Sequence, residues 1–292
     1  MNDILKSLAS LSIEGKWRKM KKKDIFKLEN ILRKTENNYV NACGKFLVYD
    51  PSTDYIWFLQ DKNENVKAII INSKNTLIPV LCGEKEIPPL KFLKKLLRSK
   101  RIHSVQGLSE EVIFLENILE KSGKVTADIF DYDLMSLDTL PSKIGLLAGP
   151  KNLELKVPQM VDIDALSPLQ AGYEQEEVLP RGSTFNPAAS RVNTTNIIAN
   201  GLILAAELNG KFVGKINVNA VSFTRYQVGG VYVSPDFRGM GIASRMTTEF
   251  ITSLANKGKG ITLFVKKNNI PARRLYNSIG FNIKGDYRIT YY

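Results

Sequence analysis

Apolar and polar positions along the chain predict a mixture of helices and strands, beginning with an amphipathic helix over residues 24–37. Ile25, Leu28, Ile31 and Leu32 share one face of that helix. Short apolar runs predict strands at residues 45–49, 55–60, 66–71 and 77–82, and then a helix at 89–97 and a strand at 102–105. A helix at 109–119 and a strand around 125–132 complete this half of the chain.

The second half has a similar order of elements. A helix is predicted at 162–179, and a β-hairpin at 202–207 and 211–221, because Asn209-Gly210 is a strong hairpin signal. A strand at 230–233, a glycine loop and a helix follow, and then a strand at 261–265 and a helix that ends at Gly280. Glycines and a proline interrupt the pattern at residues 144–150. We therefore predict two domains, residues 1–147 and 148–292.

The glycine loop of the second half has the composition of an anion-binding site. Arg238 precedes Gly239-Met240-Gly241 at the start of a predicted helix. A helix N-terminus offers unpaired N–H groups and the positive end of the helix dipole. Glycines let a phosphate approach the backbone closely, and an arginine adds a planar set of donors. Neither the P-loop pattern nor the dinucleotide fingerprint is present, so the loop alone leaves its ligand open.

A second pattern lies downstream, Asn269-x-x-Ala272-x-x-Leu275-Tyr276-x-x-x-Gly280-Phe281. With Arg238-x-x-Gly241-x-Ala243 before it, the chain resembles the GCN5-related N-acetyltransferase (GNAT) superfamily from about residue 153 onward. The resemblance implies an α+β fold of tandem GNAT-like domains, each a mixed, mostly antiparallel twisted sheet flanked by helices. The first half would be a degenerate copy without the cofactor motif. An unrelated α+β domain is the alternative for that half.

The resemblance also implies acetyl-CoA as cosubstrate. The strand Val231-Tyr232-Val233 would offer backbone groups to the pantetheine arm, and Asn269 would contact it from the other side, or simply cap its helix. Tyr276 would protonate the leaving sulfur, although packing alone could explain a tyrosine on that apolar face. The residues that would hold the pyrophosphate are Arg238, Gly239, Met240, Gly241, Ile242, Ala243 and Ser244.

The group that deprotonates the acceptor amine is not evident from the sequence. Many members of the superfamily carry a glutamate on the strand before the pyrophosphate loop, and the nearest counterpart here, Gln227, cannot act as a base. A water chain is one alternative. A non-catalytic acyl-CoA-binding or regulatory module is therefore a second reading of the chain. The carboxylates that could act on the acceptor are Glu174, Glu176, Glu177 and Glu207, and an acidic solvated helix end would explain the first three equally well.

Composition narrows the remaining possibilities. The 292 residues include 43% hydrophobic and 24% charged residues, and no apolar run is long enough to span a bilayer. Two cysteines and one histidine favour a reducing cytoplasm and give no support to a metal site. The net charge of +12 suits an enzyme with an anionic cosubstrate. The basic run at residues 16–23 is interpreted as a solvated helix or linker, not a nucleic-acid site. We expect a monomer or homodimer acting on a small-molecule or peptide amine.

Overall fold

The computed structural model describes residues 15–82, 102–141 and 149–292. They form two compact units. The first comprises the described residues up to Tyr132 together with Gly285–Tyr292, and the second is Asp133–Lys284. The predicted domain boundary at residues 147 and 148 and the predicted helix at 89–97 lie outside the described residues. The second compact unit begins at Asp133, earlier in the chain than the predicted boundary.

The N-terminal unit is a mixed sheet with helices. Its strands β1 to β5 and the C-terminal strand β12 (Asn282–Tyr291) follow each other in the order β1-β2-β3-β4-β5-β12. All of these pairs are antiparallel except β4 with β5. The core lies where Leu115 of α3 meets Ile70 and Leu77 of the sheet. The elements are β1 (Gly15–Lys19), α1 (Ile25–Thr35), α2 (Val40–Leu47), β2 (Tyr55–Asp61), β3 (Val66–Ser73), β4 (Thr76–Val80), β5 (Ser104–Leu108), α3 (Ser109–Lys121) and β6 (Asp128–Leu137), which enters the second unit.

The C-terminal unit has the strand order β6-β11-β10-β9-β8-β7, in which β6 contributes residues 133–137. The pair β10–β11 is parallel, and the pairs β7–β8, β8–β9 and β9–β10 are antiparallel. The predicted hairpin around Asn209-Gly210 is confirmed. The elements are β7 (Leu153–Lys156), α4 (Ile163–Tyr173), α5 (Pro187–Ala199), β8 (Ile203–Leu208), β9 (Lys211–Val221), β10 (Arg225–Val233), α6 (Ile242–Ala255), β11 (Gly260–Lys266) and α7 (Ile270–Ile279).

Helices cover both faces of this sheet. Successive residues of a strand point to opposite sides, so neighbouring residues of β8 belong to different clusters. Ala206 of β8 belongs to the cluster under α6 and α7, which includes Phe250 and Ile279. The neighbouring Ala205 belongs to the cluster under α4 and α5, which includes Leu166. Within the described residues, no helix is both long and apolar enough to cross a membrane.

Three predictions about elements were wrong or incomplete. Residues 45–49 are not a strand, because 40–47 form α2 and bury Val40, Cys43 and Phe46 at a helical spacing. The first residues of the basic run belong to edge strand β1. Helix α5 was missed, because its buried face includes Ser190 and Thr194 and carries little apolar signal.

Candidate active site

The glycine loop leads directly into helix α6, as the sequence predicts. Gly241 is the N-cap residue, with a positive φ of 77°, and no side chain caps the helix there. Gly239 also has a positive φ, of 79°, and no atom lies within 4 Å of the position that a Cβ would occupy. In the first turn of α6, Ser244 Oγ is buried without a hydrogen-bond partner. The loop thus presents backbone donors beside an unpaired hydroxyl, a donor set suited to phosphate oxygens.

Strand β10 separates from β11 immediately before this loop. The paired residues run from Arg225 with Gly260 to Val228 with Leu263, and no pairing with β11 is recorded for residues 229–233 of β10. On its other edge, β10 bulges against β9 between Gly229 and Tyr232. The backbone of Val231 therefore faces a gap between two parallel strands. An extended chain such as a pantetheine arm could hydrogen-bond to it there.

Tyr276 lies on α7, and Asn269 is the N-cap residue of that helix. Asn269 caps the helix, since its Oδ1 accepts from the N–H of Ala272 at 3.2 Å. Tyr276 is 6% exposed, and its ring meets that of Phe281 edge-on at 5.9 Å. Burial raises the pKa of Tyr276, and the nearby Tyr173 and Glu177 raise it further. The phenol is therefore protonated at neutral pH.

The predicted helix at 162–179 ends as an α-helix at Tyr173 and continues as one π-helical turn, Glu174–Val178. We call this turn the acidic segment. Its Glu176 binds Arg238 through both carboxylate oxygens, at 3.1 and 2.8 Å, and accepts from the hydroxyl of Tyr232 at 2.9 Å. The hydrogen bond from Arg238 to Glu176 is the main cause of the raised pKa of the guanidinium.

Two other acidic candidates lie in the same segment, and one lies apart. Glu177 pairs with Lys266 of β11 at 3.2 Å. Glu174 Oε1 accepts from Gln170 at 2.8 Å and from Asn193 at 2.9 Å. Glu207 pairs instead with Lys156 of β7. The acidic segment therefore contacts the glycine loop through the pairing of Glu176 with Arg238.

A buried lysine that the sequence reasoning missed lies on β9. Lys215 is 1% exposed, and its Nζ donates to Asn217 Oδ1 at 3.0 Å and to the carbonyl oxygen of Gly230 at 2.9 Å. Burial lowers its pKa to about 7. A signal was present in the sequence, because Lys215, Asn217 and Asn219 recur at every second position of a strand and so share one face. Gln227, on β10, is buried, and its Oε1 has no hydrogen-bond partner.

The comparisons with known proteins agree with this geometry. Residues 171–281 match the model of the Acetyltransferase (GNAT) family. A GCN5-related N-acetyltransferase from Sphaerobacter thermophilus is 16% identical, with a TM-score of 0.64 over 96% of each chain. A tandem GNAT protein from the clavulanic acid biosynthesis pathway is 12% identical, with a TM-score of 0.60 over 95% of this chain and 98% of its own. A GNAT acetyltransferase from Colwellia psychrerythraea is 13% identical, with a TM-score of 0.57 over 94% of this chain and 98% of its own. The comparison with curated proteins gave no match.

The C-terminal unit is an α+β domain in which a parallel strand pair opens before a glycine loop. With the family match at residues 171–281, the C-terminal unit contains a GNAT domain. The predicted fold class, tandem GNAT-like domains with mostly antiparallel sheets, is confirmed by structural neighbours that extend over nearly the whole chain.

Proposed function

We propose that this protein transfers the acetyl group of acetyl-CoA to a primary amine of a small molecule or peptide. The main support for the proposal is the end of the pairing between β10 and β11. The gap opens after Val228 and Leu263, and the uncapped N-terminus of α6 follows a few residues later in the chain. An extended thiol arm would fit in the gap while its pyrophosphate lies at the helix N-terminus.

The residues present fit this cosubstrate by their chemistry. Backbone N–H groups of residues 239–243, the hydroxyl of Ser244 and the guanidinium of Arg238 would hold the pyrophosphate. Val231, Tyr232 and Val233 of β10 and Asn269 of α7 would line the arm. Arg238 is engaged by Glu176, so an incoming anion has to share or displace that contact.

Two groups would act on the thioester. The N–H of Val231 or Val233 would stabilise the negative charge that develops on the thioester oxygen. Tyr276, kept protonated by burial, would supply the proton that the leaving sulfur needs. The acidic segment would attract a cationic amine to the same region, since Glu174 and Glu177 add negative charge beside it.

Calorimetry with acetyl-CoA, together with a thiol-release assay over a panel of primary amines, tests this proposal. We expect binding, and thiol release that depends on the amine. Binding without release on any amine would favour a non-catalytic acyl-CoA-binding or regulatory module. Absence of binding would contradict both functions.

Exchange of Tyr276 for phenylalanine tests the general acid. We expect Tyr276→Phe to lower kcat by on the order of 10²-fold, because a positioned proton donor contributes about that much, while affinity for CoA stays the same. Tyr226→Phe is the matched control, because Tyr226 is also buried but lies on β10 before the gap. Full activity of Tyr276→Phe would remove the tyrosine from this role.

Charge reversal at Arg238 tests the placement of the pyrophosphate. Arg238→Glu should weaken CoA binding, because a donor is lost and a repelling charge is gained next to Glu176. Calorimetry measures the dissociation constant, and an unchanged value would contradict the assignment of this loop.

A further inference from the structure

Among the residues that the structure describes, no carboxylate forms an ion pair with Lys215 that would explain its burial. Its two hydrogen-bond acceptors, Asn217 Oδ1 and the carbonyl oxygen of Gly230, are both neutral. A buried ammonium normally has a carboxylate in hydrogen-bond contact, because desolvation otherwise favours the neutral amine. The two acceptors can take both hydrogens of a neutral amine. The third position on Nζ is then a lone pair.

The backbone around Lys215 is built to fit it closely. A Cβ at Gly230 would lie 2.0 Å from Asn217 Oδ1 and 2.8 Å from Lys215 Nζ, and Gly230 has a positive φ of 61°. A Cβ at Gly229 would lie 2.1 Å from Asn219 Nδ2. The β10 bulge can therefore approach these polar side chains only because two glycines stand there.

This pocket adjoins the proposed thioester position. The carbonyl of Gly230 and the N–H of Val231 belong to one peptide group, and in a trans peptide they point in opposite directions. Lys215 contacts the carbonyl side of that group, toward β9. The N–H points the opposite way, in the stretch of β10 that does not pair with β11, and the thioester oxygen would lie on that side. Lys215 is thus one peptide group away from the reacting carbonyl.

Residues of α4, the acidic segment, β8 and β10 surround the side chain of Lys215. From α4, the ring of Tyr173 lies 4.8 Å from Nζ, and Glu174 of the acidic segment favours the charged form. Across the sheet, the residue opposite on β10 is Tyr232, whose hydroxyl binds Glu176, and the residue opposite on β8 is Ala205. Burial outweighs Glu174 and brings the pKa of Lys215 to about 7. Near neutral pH the amine can take up and release a proton.

We propose that Lys215 is the proton acceptor for the incoming ammonium group, in place of the carboxylate that is missing at Gln227. The inference rests on the proposed acetyltransfer. An N–H bond of the ammonium breaks, and its proton passes through one water to the lone pair of Lys215, because the Gly230–Val231 peptide lies between the two. The freed amine forms a C–N bond with the thioester carbon, and the C–S bond breaks. Tyr276 gives a proton to the sulfur and recovers one from the new amide nitrogen. Lys215 then returns its proton to water, so one proton is released per turnover.

The pH profile of thiol release tests this role, with the amine that the wild type acetylates fastest in the panel. We expect wild-type kcat/KM to fall about tenfold per pH unit below pH 7, as for one essential base. Lys215→Met should lose this acid limb and be slower by about 10²-fold or more at pH 7.5. Lys215→Arg keeps hydrogen-bond donors but cannot deprotonate, so it should not restore the rate. Lys257→Met, an exposed lysine on the same unit, is the control.

Two further measurements separate this role from a structural one. Calorimetry should show that the Lys215 variants bind CoA like the wild type, which establishes that they are folded. In the CoA complex, NMR of lysines labelled with ¹³C at Cε should show one resonance that titrates near pH 7 and is absent from Lys215→Met.

Several outcomes would overturn the proposal. A Lys215→Met variant with the wild-type rate and acid limb would exclude Lys215 while leaving acetyltransfer intact. An acetyl group found on Lys215 by mass spectrometry would make it an acceptor and not a base. A wild type that releases no thiol with any amine would contradict the proposed function itself, and this inference with it.

Discussion

At the scale of single residues, the N-terminal unit carries a buried carboxyl group that is expected to control its stability. Glu111 Oε1 accepts from the hydroxyl of Tyr39 at 2.5 Å and from the N–H of Leu81 at 2.9 Å. Burial raises the pKa of Glu111 to about 7, against the lowering effect of those hydrogen bonds. Between the unfolded pKa of 4.5 and this value, the folded state binds more protons than the unfolded state.

The stability of the wild type should therefore fall as pH rises from about 4.5 to about 7, and this loss should be absent from Glu111→Gln. The shift corresponds to about 3 kcal/mol across that window. Urea unfolding of both proteins at several pH values measures it, and Glu110→Gln, a neighbour on the same helix, is the control. Parallel pH dependences in wild type and Glu111→Gln would contradict the assignment.

At the scale of elements, the hydrophobic pattern predicted most strands and helices, and it failed where an element buries polar or small side chains. Helix α5 buries Ser190 and Thr194 and therefore shows little of the expected apolar face. Strand β9 was predicted, but the burial of its Lys215 could not be recognised from a pattern of apolar residues. The glycine loop and the α7 pattern could be found from spacing, because backbone geometry there depends on glycine and on an Asn cap. The pairing of Glu176 with Arg238 could not be predicted from the sequence, because the two residues are far apart in the chain.

The acidic segment should reduce the affinity for the anionic cosubstrate. Glu176 occupies the Arg238 guanidinium, and both side chains are nearly half exposed, so their pairing contributes at most about 1 kcal/mol. Glu176→Gln removes a negative charge beside the glycine loop without changing side-chain size. We expect CoA to bind a few-fold more tightly, as measured by calorimetry, and the gain to shrink at high salt.

A matched control for that variant is Glu249→Gln, which removes one charge from the exposed face of α6. An equal gain in both variants would mean that net charge alone is responsible. Weaker binding by Glu176→Gln would mean that Glu176 holds Arg238 in the orientation that phosphate needs.

At the scale of the whole molecule, the residue at which the second unit begins determines how stable a fragment of that unit should be. The unit starts at Asp133, and residues 133–138 supply it with core side chains and with partners for arginines. Met135 and Leu137 belong to the cluster under α6 and α7. Ser136 accepts from Arg225, a residue only 8% exposed, at 2.9 Å, and Asp138 forms its ion pair.

A fragment of residues 148–292 should therefore be much less stable than a fragment of residues 133–292. The shorter fragment leaves the Arg225 guanidinium without its carboxylate, which costs on the order of 1 kcal/mol because the Asp138 side chain is half exposed. It also uncovers the edge of β11 that β6 protects. Thermal unfolding of both fragments measures the difference. Asp138→Asn in the longer fragment isolates the arginine pair, and Asp236→Asn, a change at an exposed aspartate of the same unit, is its control. Equal stability of the two fragments would place the boundary at residue 148 and reduce residues 133–138 to a linker.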